Sequence, residues 1–210
     1  MKRTNHSRRD RKKFLNMLAA NWQQLLFMFL FILGMAWGCT AVKDSSGTLN
    51  SIFQSILTGF TASRIEHSFF ATLFNSFIPS LAIVLVIFLA GLSPAGVPVV
   101  GAVPVFRGFG LGIISGYLYQ TQGLKGIAYC LLTIYPHSIL SVTALILCSL
   151  EAWRMSFHFI SLFRADYGQI NFSSELKLYT ARFSVFLGII MFSCIMDAFL
   201  SKVFSGFFVF

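Results

Sequence analysis

The sequence predicts an all-α polytopic integral membrane protein, and three observations carry that prediction. The 210 residues are 56% hydrophobic and 11% charged, with a mean hydropathy of +0.76, far from soluble-domain averages. The apolar residues gather into runs that match the roughly 20 residues a helix needs to cross a bilayer. The net charge of +9 is uneven: Lys2, Arg3, Arg8, Arg9, Arg11, Lys12 and Lys13 stand against a single acid, Asp10. Such a run beside a first span is a topology signal that keeps the N-terminus in the cytoplasm, and it also attracts anionic lipid. No folded basic module follows, so nucleic acid is not an expected partner. The chain divides into a basic cytoplasmic tail, 1–18, and a single transmembrane helical domain, 19–210.

The first span is expected from Ala19 to Val42, with Trp22 and Trp37 near its ends, where aromatic belts lie. The run is longer than a signal-peptide core, and bulky Trp37 beside Gly38-Cys39 suits no cleavage site, so the helix reads as an uncleaved anchor. Lys43 to His67 form an extracytoplasmic segment. Within it Leu49, Ile52, Phe53, Ile56, Leu57 and Phe60 recur at helical spacing, with Asn50, Gln54 and Ser55 between them. This amphipathic helix is too short to span. It lies on the membrane surface, or it offers Ile52, Phe53, Ile56 and Phe60 as a partner-docking face. The second span, Phe69 to Leu92, carries Asn75 and Pro79, which points one side of it toward protein.

The stretch from Gly91 to Gly126 is the centre of the chain. Pro94, Pro98 and Pro104 remove backbone donors, and seven glycines from Gly91 to Gly116 allow close backbone approach. An unpaired backbone group in hydrocarbon is costly, so a broken segment must be sheltered by other helices. The expectation is a Gly/Pro-rich broken central hairpin, with residues 91–103 either spanning or re-entrant and a third span from Pro98 to Gln120. Arg107 lies inside it, either snorkelling from a glycine-rich interface or serving as a functional charge.

A turn at Thr121 to Lys125 leads into the fourth span, Gly126 to Ala152. There Pro136 is expected to interrupt the hydrogen-bond ladder beside His137. Met155, Phe159, Leu162 and Phe163 extend that helix as an amphipathic tail. Tyr167 to Ser174 read as a loop, with Ser173 or Ser174 capping the helix into the last span, Phe183 to Val203, which carries Asp197. Five spans put the N-terminus inside and the C-terminus outside, in agreement with Arg154, Arg164, Lys177 and Arg182 on the inner side.

Asn75, Arg107, His137 and Asp197 form the expected buried polar centre. Counting about 1.5 Å per residue from the span ends puts the last three near mid-bilayer, where an isolated charge costs at least about 2.5 kcal/mol. Pairing of Asp197 with Arg107 or His137 is therefore expected. Cys39, Cys130, Cys148 and Cys194 are scattered, without metal-ligand spacing, and no disulfide is expected. No Walker loop, HExxH or GxSxG occurs, and no catalytic, cofactor or metal residues are assigned.

Several patches carry a resemblance. They are Asn75, GLSPAGVPVVGAVPVFRGFGLGIISGYL at 91–118, GLKGI at 123–127, YPHSILSVTAL at 135–145 and MDAFLSKVF at 196–204. Their order and spacing resemble the stage II sporulation protein M family from about residue 20 onward. In many relatives the Pro-His pair continues with Gly and a Glu follows; here Ser138 and Ser141 stand at those places, and Asp197 stands where the last span commonly carries Glu. The resemblance implies a part in endospore formation. It implies a non-catalytic anchor in the mother-cell membrane that recruits cell-wall hydrolases resembling stage II sporulation proteins D and P during engulfment. A transporter or channel subunit is the alternative that a broken helix with buried charges would suit, and a membrane-embedded enzyme centred on His137 ranks below both. Oligomeric state is left open, a homo-oligomer included.

Overall fold

The computed structural model describes residues 21–43, 55, 69–163 and 172–204. The helices are α1 (Trp22–Lys43), α2 (Phe69–Gly91), α3 (Gly96–Gln122), α4 (Leu124–Tyr129), α5 (Tyr135–Phe163) and α6 (Phe172–Phe204), with a π-helical turn at Cys130–Ile134 between α4 and α5. The segment from α4 into α5 makes one span, Leu124–Ile160, so five helices are long and apolar enough to cross a membrane. The expected helix around Ile52, Phe53, Ile56 and Phe60 and the basic tail lie outside the described residues. Ser55, the one described residue in that helix, is helical and exposed.

The polarity of the bundle is that of a body surrounded by lipid. Phe29, Ile78, Leu89, Phe106, Leu131, Ile139 and Phe199 are each more than half exposed, whereas Ser149, Ser156 and Asp197 are fully buried. Hydrocarbon accepts the apolar exterior, and polar side chains must find partners within the bundle.

Helices α1 and α3 run in the same direction and touch backbone to backbone. A Cβ on Gly34 or Gly38 of α1 would run into the carbonyls of Val105 or Phe109, and one on Gly108 or Gly112 of α3 into those of Phe31 or Met35. With little hydrophobic drive between helices in lipid, such close van der Waals contact is what holds them together. The Cys39 thiol adds a hydrogen bond to the Gly112 carbonyl at 3.3 Å. The other half of the core is built by α2, α5 and α6 around Val84, Ile87, Ala144, Cys148, Ala152 and Ile190.

The tight turn at 92–95 accounts for the end of α2. Leu92 N–H donates to Leu89 O and Ser93 N–H to Ala90 O. The Phe88 carbonyl, left over at the helix end, accepts the Tyr179 hydroxyl at 3.0 Å, and Ser156 donates to Ser93 O at 2.6 Å. The Tyr179 ring stacks on Phe88 with centroids 5.0 Å apart. Tyr179→Phe keeps the stack and loses the bond. We expect it to cost about 1 kcal/mol, read as a shift in the midpoint of detergent-induced unfolding.

Four local expectations are corrected. The central stretch is not broken in mid-membrane: the chain turns at 92–95, and α3 then runs unbroken from Gly96, so residues 96–103 are the first turns of the third span and not a re-entrant loop. Pro98 falls in the first helical turn, where a missing N–H removes no intrahelical bond. Pro104 is buried inside the helix, where packed neighbours shelter the freed carbonyl. The expected outer turn shrinks to Gly123, whose φ of 55° suits a residue without Cβ. Pro136 does not interrupt its helix. The π-turn before it, with Tyr135 N–H reaching back to Cys130 O, widens the ladder and absorbs the proline. The helix leading into the last span is expected to start at Ser173 or Ser174; α6 starts at Phe172, so both serines lie in its first turn rather than ahead of it as caps.

Candidate functional site

Where α2, α3, α5 and α6 meet, a cavity of about 310 Å³ is lined by Ser76, Arg107, His137, Ser138, Ser141 and Asp197, among others. The sequence spacing explains the gathering. On α6, Ser193, Asp197 and Ser201 stand four residues apart on one face, and all three are buried. On α5, His137, Ser138 and Ser141 face the same interior.

His137 and Asp197 meet, with Nδ1 3.2 Å from Oδ1. The same Nδ1 lies 3.1 Å from the Thr133 carbonyl. A carbonyl only accepts, so the ring proton sits on Nδ1 and is donated to that carbonyl, with the Asp197 carboxylate beside it at ion-pair distance. In the neutral ring Nε2 then accepts from the Ser138 hydroxyl at 3.4 Å. The second Asp197 oxygen accepts from Ser76 at 2.7 Å, and Ser193 donates to the His137 carbonyl at 2.6 Å. Asp197 therefore joins α2, α5 and α6.

Arg107 lines this cavity without reaching the pair. It makes no hydrogen bond or ion pair with a described residue, and its Nε is buried without a partner, as is the Ser141 hydroxyl. It stands roughly 16 Å along α3 from the helix start, too far for its side chain to snorkel to that end. Asn75 differs from expectation: it is exposed, at the cavity's edge. The next residue, Ser76, about 100° further round the helix, takes the inward place. Ser76 and Ser193 were not foreseen as members of the site. The four-residue spacing of serine with Asp197 on α6 was the available signal. Among the described residues no three His, Cys, Asp or Glu side chains gather as metal ligands.

The comparison with protein families matches the model of stage II sporulation protein M over residues 27–202. The chain belongs to the stage II sporulation protein M family. The match reaches into all five spans and takes in every residue of the polar cavity, and membership implies a role in sporulation. Ser138 and Ser141 both line the cavity. Comparison with curated proteins and with solved structures gives no match in either case.

Proposed function

We propose that the protein is a non-catalytic membrane scaffold of spore formation that holds peptidoglycan-degrading partners, resembling stage II sporulation proteins D and P, at the engulfing mother-cell membrane. Family membership over residues 27–202 is the observation that carries this reading. The site supports it in a second way. The contacts from Ser138 through His137 to Asp197 follow the order of a nucleophile, base and acid. They lie in mid-helix, however, where backbone N–H groups are committed to the helix and are not free to hold an oxyanion. Cell-wall glycan outside the membrane does not reach that depth. In this reading the N-terminus is cytoplasmic and the C-terminus extracytoplasmic.

The test is a pull-down of tagged protein from membranes of sporulating cells, with a control carrying charges at Phe53 and Ile56. Hydrolases recovered with the wild type and lost with the control are the expected result. Their absence from an abundant, folded wild type would reject the scaffold. The polar cavity favours a second reading, a transporter subunit. Ion or proton flux in proteoliposomes that stops in Asp197→Asn would support that reading instead.

A further inference from the structure

The cavity opens sideways. Pro79 of α2 and Phe106 of α3 border it and are exposed, Phe106 by 75%. Both stand near the middle of their helices. Exposure at that depth faces the lipid interior, not either water phase. Behind the opening stands Arg107, with its Nε buried and unpartnered and the orphaned Ser141 hydroxyl lining the same space. Asp197 attracts it across the cavity but forms no ion pair with it, being engaged with His137 and Ser76. A cation at mid-bilayer with no counter-charge in direct contact is costly, and an incoming anion relieves that cost.

We infer that this opening is a docking site for a transmembrane helix of a partner protein that carries one carboxylate near the middle of its span. Charge selects the occupant. The opening is bordered by apolar Phe106 and Pro79, which suit the apolar flanks of a spanning helix, and by the exposed amide of Asn75, while Arg107 offers planar donors to a carboxylate. A second copy of this chain does not supply that group: within the described spans its acids are Glu151, bound to Arg182 and Arg154, Glu175 near the start of α6, and Asp197. The inference rests on the scaffold reading in one respect, in that it names the chemistry by which a membrane-anchored partner is held.

The test uses the full-length protein in phosphatidylcholine vesicles with synthetic polyleucine transmembrane peptides bearing a single central Glu, Gln or Lys. Association is read by energy transfer from a peptide donor to an acceptor on the protein's terminal tag. The Glu peptide is expected to bind about tenfold more tightly than the Gln peptide, and the Lys peptide not at all. Arg107→Gln should erase the difference between Glu and Gln, and Arg107→Lys should keep part of it. Both variants are checked for wild-type helicity and unfolding midpoint, and Phe106→Trp, which narrows the opening without touching the charge, should weaken all peptides together. Equal transfer from the Glu and Gln peptides overturns the proposal. So does loss of the Glu preference when phosphatidic acid is added at a few per cent, which would make a lipid phosphate the occupant. Arg107-dependent dimerisation of the chain in sedimentation would overturn it too, in favour of a second copy. No hydrolase is present in these vesicles, so failure here rejects the docking site alone and leaves the pull-down to judge the scaffold.

Discussion

Asp197→Ala is expected to cost about 3 kcal/mol or more of folding stability, the range seen when one partner of a buried pair is removed. Polar contacts between membrane helices often contribute less than about 1 kcal/mol, because helices that are inserted but apart find other partners. Asp197 differs in two ways. It joins three helices through His137 and Ser76, so its loss strands groups on two of them. It is also fully buried, so association of the helices takes it out of lipid. Replacing it removes the contact and that sheltering gain together. The measurement is unfolding in mixed micelles with rising dodecyl sulfate, followed by helicity. Asp197→Asn still accepts from Ser76 and should lose less. His137→Ala should add much less to Asp197→Ala than it costs alone, because the two share one interaction. Fully additive losses would show that the 3.2 Å approach contributes nothing, and a loss below about 1 kcal/mol would make it a bystander.

The parts of the fold that were legible in the sequence are those that depend on composition over many residues. The spans show as apolar runs because lipid tolerates few charges over a whole helix, and the cost of intramembrane charge singled out Arg107, His137 and Asp197. Choosing His137 over Arg107 as the partner of Asp197 was a matter of rotation about helix axes, and no run of sequence records that. Asn75 and Ser76 make the same point: neighbours on one helix, of which one reaches the interior and the other the rim. The prolines misled for a related reason. Their effect depends on where they fall, and Pro98 in a first turn and Pro136 after a π-turn disturb little. The glycines of α3 were read as a close-packing face, but Gly34 and Gly38, which complete it from α1, were not singled out. A pair spaced by four shows in sequence; which helix it meets does not.

That glycine face carries the second large effect. Gly112→Leu is expected to destabilise by about 3 kcal/mol or more, at the upper end of overpacking in a closed core. The reason is that the neighbour is backbone. A Cβ at residue 112 meets the Met35 carbonyl and presses toward Cys39 N, and a carbonyl within a spanning helix cannot turn aside as a side chain can. To admit the leucine, α1 must move off α3, and the Cys39–Gly112 hydrogen bond goes with it. Gly110 is the internal control. It is on the same helix, two residues away, with open space where its Cβ would point, so Gly110→Ala should be neutral or raise stability by roughly 0.5–1 kcal/mol through helix propensity alone. Unfolding of both variants in mixed micelles separates the two accounts. If Gly110→Ala and Gly112→Ala behave alike, the glycines of α3 act through backbone flexibility. If only substitutions at Gly112, and likewise at Gly34, Gly38 and Gly108, are costly, the close approach of α1 and α3 is what requires them.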